Sequence, residues 1–505
     1  MNLALAVRRL GDDAGRGVSR GARKKDGIRC IKGRMIQNVE ELRPNLQTQG
    51  LAQRCLLARP CQGMQCTSKV VDGMQSDENE FLTRTGAGTP MGELFRRYWI
   101  PAMLADDLPG RDGAPVRVKL LGENLVAFRD TAGKIAFISE HCPHRGASLF
   151  LGRNEEYGLR CVYHGWKFDV TGKCVDMPSE PIESNFKEKI RAKCYPGLDL
   201  GGLIWTYMGP AALIPAAPEL EWAVVSGEQR YLSRRFEDCN YLQALEGGID
   251  SSHVSSLHRD AVLVSQKRKD SVLTGKGQGR ELVRADTAPK FDITETDYGL
   301  LITARRNAGD SHYYWRATHW LMPFYTMVPP YGDSPLRGHA WVPIDEEHCW
   351  VYSVSWHPVR ALSKDEVAEM RAGGGIHTEV IPGTNLPKQH KANDYLIDRE
   401  LQKSGLSNTG IRGLGVQDIA VQESMGAIVD RTQEHLGTSD AAIIAARRVL
   451  KRAAEGVQHN ASPPGLRPET QRVRAISIVL PKEVPFQEGA GELLLAQPGT
   501  FFVST

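Results

Sequence analysis

Short apolar runs separated by polar and glycine-containing turns mark residues 97–212 and predict an antiparallel β domain. Four runs have the length and the β-branched or aromatic content of strands, at residues 116–121, 125–128, 135–139 and 203–207. The segments 122–124 and 130–133 between them carry residues typical of hairpin turns. A stretch rich in Pro and Ala at 210–218 predicts a linker, so this domain should end near residue 212.

The second half mixes strand patterns with helix patterns and predicts a larger domain over residues 213–455. Its strand-like runs are residues 300–305, 313–320, 339–344 and 350–356. Ser363 and Glu366 form a capping box, which predicts a helix start. Ser439 begins another predicted helix, which runs from residue 440 to about 455. The whole chain is therefore expected to belong to the α+β class.

The two ends of the chain have weaker patterns. Thr89 and Pro90 provide a helix cap and a first helical residue, which predicts a helical segment within 74–96. Residues 456–505 are interrupted by proline and predict a C-terminal tail. Residues 1–73 show no sustained period and predict either a disordered leader or a start placed too far upstream.

Charge and composition narrow the class of protein. Residues 1–73 hold 14 Lys and Arg against 6 Asp and Glu, a net charge of +8. Since the whole chain has a net charge of +3, residues 74–505 carry −5. A mildly acidic body does not favour a nucleic-acid partner. No apolar run approaches the ~20 residues of a membrane span. The scattered cysteines do not suggest disulfides, and we expect a cytoplasmic protein.

The most specific chemical signal lies in the first domain, in the residues Cys142, His144, Cys161 and His164. A Cys-x-His pair followed by a Cys-x-x-His pair suits a Rieske [2Fe–2S] cluster, in which two thiolates hold one iron and two imidazoles hold the other. A zinc site uses the same ligand types. Zinc fingers, however, pair Cys with Cys and His with His along the sequence. One Cys and one His in each loop therefore favour the Rieske cluster.

A cluster that stores one electron needs a site that receives it, and residues 240–258 offer one. His253 and His258 are five residues apart, and Asp250 precedes the first by three. Two His and one carboxylate bind iron(II) in non-haem oxygenases. Residues five apart on a regular helix point about 140° away from each other, so the helix must be distorted or end between them. The alternative is a pair of ordinary helix histidines.

The third ligand has to come from another segment. Our candidate is Asp418 in the predicted helix 416–423. Glu423 and Asp430 are its rivals, and each of the three could instead be a solvated surface carboxylate.

Four stretches carry a resemblance to a known family: CPHRGASL at 142–149, CVYHGWKFD at 161–169, NYLQALEGGIDSSHVSSLH at 240–258 and QDIAVQESMGAIVDRTQEHLGTSD at 417–440. Through them the chain, from about residue 77 to 448, resembles the large subunit of Rieske non-haem iron aromatic ring-hydroxylating oxygenases. Within these it is similar to the phthalate 4,5-dioxygenase group and its relatives acting on phenoxybenzoate and chlorobenzoate. The 73-residue leader has no counterpart in that family.

The resemblance implies a fold and a set of site residues. An antiparallel-β Rieske domain should be followed by a helix-grip catalytic domain, a curved antiparallel sheet around a long helix. Cys142, His144, Cys161 and His164 would bind the cluster, and His253, His258 and Asp418 would bind a mononuclear Fe(II). Asp250 would bridge the two centres, reaching His164 of a neighbouring subunit in a homotrimer.

The resemblance also implies an activity. The chain would be the terminal oxygenase of a multicomponent system that adds O₂ to a phthalate-like aromatic carboxylate and forms a cis-dihydrodiol. Electrons would come from a separate flavin-dependent NAD(P)H reductase with a ferredoxin-type cluster. A Rieske monooxygenase that removes methyl groups or cleaves ethers is the alternative. A non-catalytic electron carrier would leave the second half of the chain without a role.

A carboxylate substrate would need a cation, preferably the planar fork of arginine. Arg316 is our first candidate because it interrupts the apolar, aromatic run 313–320. The other cationic candidates are Arg280, Lys290, Arg305 and Arg306. Ser252, beside His253, is a candidate for a hydrogen bond to the substrate.

Overall fold

The computed structural model describes residues 34–36, 73–259, 271–273, 275 and 277–505. Apart from the strand at 34–36 and Gly73, the predicted leader lies outside the described residues. The strands are β1 (Arg34–Ile36), β2 (Trp99–Leu104), β3 (Val116–Leu120), β4 (Glu123–Arg129), β5 (Ile135–Ser139), β6 (Arg153–Glu155), β7 (Gly158–Arg160), β8 (Lys167–Phe168), β9 (Cys174–Asp176), β10 (Cys194–Leu200), β11 (Leu203–Tyr207), β12 (Arg230–Glu237), β13 (Lys290–Thr296), β14 (Gly299–Ala308), β15 (His312–Leu321), β16 (Tyr325–Val328), β17 (Leu336–Pro343), β18 (Cys349–Trp356), β19 (Ile476–Pro481) and β20 (Thr500–Phe502). The α-helices are α1 (Ser76–Thr83), α2 (Pro90–Phe95), α3 (Glu221–Val224), α4 (Tyr241–Ile249), α5 (Gly279–Ala285), α6 (Lys364–Arg371), α7 (Arg399–Lys403), α8 (Leu414–Ser424), α9 (Ala441–Gln458) and α10 (Phe486–Ala490).

Two antiparallel sheets build the first domain, as predicted. One has six strands in the order β2-β11-β10-β5-β4-β3, and the other has four in the order β6-β7-β8-β9. The apolar residues that alternate along these strands meet in a core of their own, which includes Phe128, Ile138 and Phe168. The two loops that carry the Cys and His pairs follow β5 and β7 and rest on this core.

One large antiparallel sheet builds the second domain, in the order β12-β18-β17-β16-β15-β14-β13. The ten residues of β15 pair with β14 along their whole length. On its other edge β15 pairs with β16 over His319–Leu321 and with β19 over His312–Ala317. The mixed helix and sheet content confirms the predicted α+β class.

The C-terminal residues 456–505, predicted to form a weakly patterned tail, contribute strand β19 to this sheet. Strand β19 pairs with β15, and the segment brings Ile478, Leu480 and Phe486 against Trp315 and Ala317. The apolar run in β19 is short and ends at a proline, which explains why the sequence pattern missed it. The tail therefore covers one face of β15, while the opposite face of that strand borders the cavity described below.

Helix α9, the longest of the described helices, packs against α2 and against strands β13 and β14 at one end of the large sheet. Its Ala- and Arg-rich sequence favours the helix, and residues such as Ala446, Val449 and Leu450 lie on its buried face. Arg447 from this helix reaches the buried Glu246 of α4 at 2.7 Å, and Arg431 reaches the same carboxylate at 3.0 Å. These ion pairs fix α4, whose end carries the second group of candidate ligands.

The two domains share one apolar core, which includes residues from α2, β2 and the large sheet. The turn between β3 and β4 also bonds directly to the residues at the end of β17, where Leu121 N donates to Pro343 O at 3.1 Å. Among the described residues, no helix combines the length and apolar character required to span a membrane.

Two candidate metal centres and a cavity

Two loops with the same hydrogen-bonding pattern bring the predicted cluster residues together. In each loop the cysteine N–H donates to a carbonyl five residues ahead, and the cysteine carbonyl accepts from a glycine N–H four residues ahead. The bonds are Cys142 N to Ala147 O at 2.8 Å, Gly146 N to Cys142 O at 2.9 Å, Cys161 N to Trp166 O at 2.8 Å and Gly165 N to Cys161 O at 3.1 Å. Gly146 and Gly165 have φ values of +76° and +75°, which glycine adopts without strain.

The side chains of these loops have the properties that an iron–sulfur cluster requires. His144 and His164 have ring centroids 4.4 Å apart, and Trp166 stacks on His144 at 4.3 Å. Cys142 and Cys161 are buried and are not joined in a disulfide. His164 Nδ1 is buried with no hydrogen-bond partner among the described residues. An unpaired buried ring nitrogen is free to ligate a metal.

The cysteine pair also requires a positive charge. Burial raises the pKa of the Cys142 thiol, and the neighbouring Cys161 adds to this effect, giving a pKa of about 11. Two thiols in an apolar setting stay protonated unless a cation stabilises their thiolates. Iron provides that charge, so the donor set of the two loops fits a Rieske cluster.

His253, His258 and Asp418 converge in the second domain. Nε2 of His258 lies 3.2 Å from Nε2 of His253 and 3.1 Å from Oδ1 of Asp418. The third distance, from His253 Nε2 to Asp418 Oδ1, is 3.8 Å. Two imidazoles and one carboxylate aimed at a common point can hold one metal ion and leave other coordination positions open.

The chain leaves its helix before the first of these histidines. Helix α4 ends at Ile249, and a 3₁₀ turn follows at His253–Ser255. The spacing of the two histidines predicted a helix that is distorted or ends between them, but helix α4 ends before both. The reason is Asp250, whose carboxylate accepts the N–H of Ser252 at 2.6 Å and of His253 at 3.2 Å. Such local bonds compete with the helix and turn the chain.

The carboxylate of Asp250 also orients a candidate ligand. Its Oδ2 lies 3.3 Å from Nδ1 of His253. Burial opposes ionisation of Asp250, but hydrogen bonds led by His253 outweigh it and hold its pKa below the usual value. An ionised Asp250 that accepts the Nδ1–H of His253 leaves Nε2 unprotonated for a metal.

Gln417 orients His258 in the way that Asp250 orients His253, and the sequence did not predict this role. Gln417 Oε1 lies 2.8 Å from Nδ1 of His258. Gln417 Nε2 donates to Thr409 Oγ1 at 3.1 Å and to Ile411 O at 2.9 Å, which fixes the amide so that its oxygen faces the histidine. Gln417 lies beside Asp418 in the predicted helix, but no sequence signal distinguishes a glutamine that orients a ligand from one that packs in the core.

We expect replacement of Gln417 by alanine to lower iron affinity about 10- to 100-fold, the usual effect of losing a group that orients a metal ligand. The reason is that Nδ1 of His258 would lose its acceptor. Iron retained after dialysis against a graded chelator series measures the effect. Replacement of the exposed Gln433 by alanine serves as the control. Equal iron retention in the two variants would contradict the orienting role.

Asp418 is distinguished from its rivals by its surroundings. Burial opposes its ionisation, but His258 and then His253 lower its pKa to about 2. Glu423 instead accepts from Asp238 N at 2.9 Å and from the hydroxyl of Tyr395 at 2.7 Å. Asp430 is exposed and caps a short helix through Thr432. Of the three carboxylates, Asp418 alone joins the two histidines.

A cavity of about 460 Å³ lies beside this group and is lined by His253, His258 and Asp418. Seven arginines are among the residues that line the same cavity. Three of them, Arg280, Arg316 and Arg337, lie together near Tyr331 and are called the arginine cluster below. Arg316 and Arg337 are only 3% and 8% exposed. Burial and the neighbouring Arg280 lower the pKa of Arg337 to about 10, so it is still a cation at neutral pH.

Carbonyl groups and an aromatic ring hold the arginine cluster. Arg316 Nη2 donates to Pro329 O and Arg337 Nη2 to Leu273 O, both at 3.0 Å. The guanidinium carbons of Arg316 and Arg280 lie 4.2 and 5.1 Å from the ring centroid of Tyr331. In the described part of the chain, no carboxylate forms an ion pair with the three arginines, and Nε of Arg280 and of Arg316 is buried without a partner.

The remaining sequence candidates lie elsewhere. Lys290 is exposed on β13, and Arg305 stacks over Tyr313. Arg306 is buried and donates to Ser251 O at 2.9 Å. Ser252 is not among the residues that line the cavity, and its hydroxyl has no partner in the described part of the chain. Among the candidates for substrate binding, the structure therefore places Arg316 and Arg280 at the cavity. It adds Arg337, which the sequence analysis omitted.

Comparisons with known proteins agree with this arrangement. The family model for the Rieske [2Fe–2S] domain matches residues 98–196. A second family model, described as "LigXa C-terminal domain like", matches residues 206–492. The 3-chlorobenzoate-3,4-dioxygenase oxygenase subunit of Comamonas testosteroni is 38% identical over 408 residues, 77% of this chain and 91% of that protein. The phthalate 4,5-dioxygenase oxygenase subunit of Pseudomonas putida is 36% identical over 421 residues, 82% of this chain and 94% of that protein.

A solved structure shares the fold. The carbazole-bound oxygenase in a ferredoxin complex of carbazole 1,9a-dioxygenase aligns with a TM-score of 0.51 and 19% identity, covering 76% of this chain and 96% of that chain. These matches confirm the resemblance indicated by the four sequence stretches.

Proposed function

Since this chain belongs to the Rieske non-haem iron oxygenase family, whose members use O₂ with a Rieske cluster and a mononuclear iron, we propose that it oxygenates an aromatic carboxylate. The proposed reaction adds both atoms of O₂ to adjacent carbons of a phthalate-like ring and gives a cis-dihydrodiol. The observation that carries this proposal is the arginine cluster in the cavity beside the candidate iron ligands.

The site residues fit this function in two groups. We assign the Rieske cluster to Cys142, His144, Cys161 and His164, because the loops present two buried thiols and an unpaired imidazole nitrogen. We assign the mononuclear iron to His253, His258 and Asp418, because their ligand atoms lie within 4.8 Å of one another. When bound, the cluster supplies single electrons and the iron supplies the site at which O₂ reacts.

The arginine cluster supports a carboxylate substrate. Buried charges are normally paired, and an unpaired one costs several kcal/mol. Arg316, Arg337 and Arg280 have no carboxylate partner among the described residues, and two of them have a buried Nε without a hydrogen bond. A carboxylate in the cavity would pair with these cations and hold the ring beside His253, His258 and Asp418.

Electrons have to enter from outside this chain. No flavin or dinucleotide motif occurs in the sequence, so we propose a separate flavin-dependent NAD(P)H reductase with a ferredoxin-type cluster. We also propose a homotrimer in which Asp250 of one subunit meets His164 of the next. The carboxylate of Asp250 is about one-fifth exposed, and Val162 and Tyr163 beside His164 are exposed apolar residues. Both features suit a contact between subunits.

A single turnover tests the reaction directly. Chemically reduced protein with both metal centres filled would be mixed with ¹⁸O₂ and a panel of phthalates, phenoxybenzoates and methoxybenzoates, and the products identified by mass. A product that gains two labelled oxygens and two hydrogens would support the proposal. Gain of one oxygen, or loss of a methyl group, would replace it with the monooxygenase alternative.

Arg316→Ala is expected to weaken substrate binding roughly 10- to 100-fold, because a hydrogen bond between charged groups contributes about 1.5–3 kcal/mol. Calorimetric titration of the oxidised enzyme with phthalate measures this change. Arg305→Ala removes an arginine that stacks over Tyr313 and does not line the cavity, so it provides a matched control. Equal affinity in the two variants would exclude Arg316 as the carboxylate partner.

A further inference from the structure

Two side chains of strand β17 that carry N–H donors line the cavity next to the arginine cluster. Arg337, His339 and Trp341 alternate along the strand, so their side chains share one face of the sheet, and all three line the cavity. Trp341 is 3% exposed, and its Nε1–H has no partner among the described residues. A buried N–H without an acceptor costs about 1–3 kcal/mol, so an acceptor is expected in the occupied cavity.

His339 is held as a neutral imidazole. Ser353 Oγ lies 3.1 Å from Nδ1 of His339 and accepts from Arg235 Nη1 at 3.0 Å. Burial, and then the charge of Arg235, lower the pKa of His339 to about 3. Since the Ser353 hydroxyl already accepts from a guanidinium, its own proton goes to Nδ1 of His339 at 3.1 Å rather than to the more distant Ile376 O at 3.4 Å. The imidazole proton is then on Nε2, the ring's remaining polar atom.

His339 and Trp341 follow Arg337 along β17 toward α4, the helix that precedes the candidate iron ligands. Arg337 of the cluster precedes His339 by two residues on the same face. Trp341 packs against α4, where a Cβ on Gly248 would lie 1.9 Å from the indole ring. That helix leads directly into Asp250 and His253. The arginine cluster, His339, Trp341 and the candidate iron ligands therefore line one cavity, so a ring held by the arginines has both side chains within the same space.

We propose that Nε2–H of His339 and Nε1–H of Trp341 form a second subsite, which binds an oxygen acceptor on the ring substituent nearest the iron. The acceptor is a second carboxylate or an ether oxygen. This inference rests on the proposed function and adds a determinant of specificity. A site built from donors discriminates strongly against a substrate that lacks the acceptor, since its buried N–H groups then remain unpaired.

Matched substrate pairs separate this subsite from the arginine cluster. Each benzenedicarboxylate isomer is compared with the methylbenzoate in which a methyl replaces one carboxylate, and 3-methoxybenzoate is compared with 3-ethylbenzoate. Every compound keeps one carboxylate for the arginines. Affinities are measured by calorimetry on the oxidised holoenzyme. The first set of pairs tests a carboxylate acceptor, and the last pair tests an ether oxygen.

His339→Leu and Trp341→Phe each remove one N–H and keep most of the side-chain volume. We expect each to weaken binding of the oxygen-bearing member of at least one pair about tenfold or more, and to leave its partner compound unchanged. His339→Gln places an amide donor near the original Nε2 and should restore affinity. Trp315→Phe is the control, because Trp315 also has a buried, unpaired N–H but does not line the cavity.

Equal losses for both members of every pair, or no loss in either variant, would overturn the subsite. If His339→Gln restores affinity, the loss in His339→Leu comes from the missing N–H donor and not from altered packing. Cluster absorbance and the melting temperature show whether each variant is folded. Arg316→Ala should weaken both members of each pair. If the wild-type enzyme binds none of these acids, the proposed function fails and the subsite with it, whereas failure of the subsite alone leaves the Arg316 result intact.

Discussion

Replacing Asp418 with alanine is expected to abolish product formation while the absorption of the [2Fe–2S] cluster persists. Asp418 is the carboxylate that joins His253 and His258, with its Oδ1 3.1 Å from the nearer imidazole nitrogen. Loss of one ligand from a set of three should weaken iron binding at least about a thousandfold, or about 4 kcal/mol at 1.4 kcal/mol per decade. Iron content per cluster after chelator dialysis, measured beside turnover, reports the effect.

The control for this prediction lies in the same segment. Asp430 was a rival ligand in the sequence, but it is exposed and caps a helix turn through Thr432. Asp430→Ala should therefore retain iron and activity. Loss of iron in Asp430→Ala, or full iron content in Asp418→Ala, would show that the ligand assignment is wrong.

Replacing Asp250 with asparagine is expected to leave both metal centres filled and to slow electron transfer about 10- to 100-fold, the usual effect of losing a group that orients metal ligands. Asparagine keeps one oxygen, which can still accept the shorter of the two backbone bonds, from the N–H of Ser252, so the turn after α4 should persist. Its NH₂ group replaces the oxygen that accepts from the N–H of His253. It removes the negative charge that faces Nδ1 of His253. The proposed bridge to His164 of the neighbouring subunit depends on the same carboxylate.

The rate at which the reduced cluster is reoxidised by O₂ in the presence of substrate measures this step. Ser252→Ala provides the comparison, because it changes a hydroxyl without a described partner and keeps the backbone N–H that Asp250 accepts. Wild-type reoxidation in Asp250→Asn would refute the bridging role. Loss of iron from that variant would instead make Asp250 an anchor for His253 alone.

The cluster residues were the easiest to predict because each pair is contained in one tight loop. Cys142 and His144 are two residues apart, and Cys161 and His164 are three apart, so local spacing determines which side chains emerge together. The glycines four residues after each cysteine adopt positive φ, a requirement that also leaves a mark in the sequence. Four of the ten strands of the first domain, β3, β4, β5 and β11, were likewise predicted within a few residues.

The iron site was predicted only in part. His253 and His258 are close in sequence, but Asp418 is 160 residues beyond the second histidine, and the choice among three carboxylates depended on family resemblance. Gln417 could not be recognised at all, because its role depends on Thr409 and Ile411 fixing its amide toward His258. Such a relation exists only after α8 has packed against the end of α4.

The sequence by itself determined the fold class, the two loops that carry the Cys and His pairs, and the histidine pair after Asp250, because spacing, turn chemistry and apolar periodicity act over a few residues. Only the tertiary structure decided which cations meet in one cavity. The sheet brings Arg316 from β15 beside Arg337 from β17, and Arg280 reaches them from α5, whereas Arg305 lies over Tyr313. Two features set which side chains face the cavity: the register that decides which alternate residues of each strand point inward, and the pairing of β19 with β15. Both depend on contacts between segments far apart in the chain.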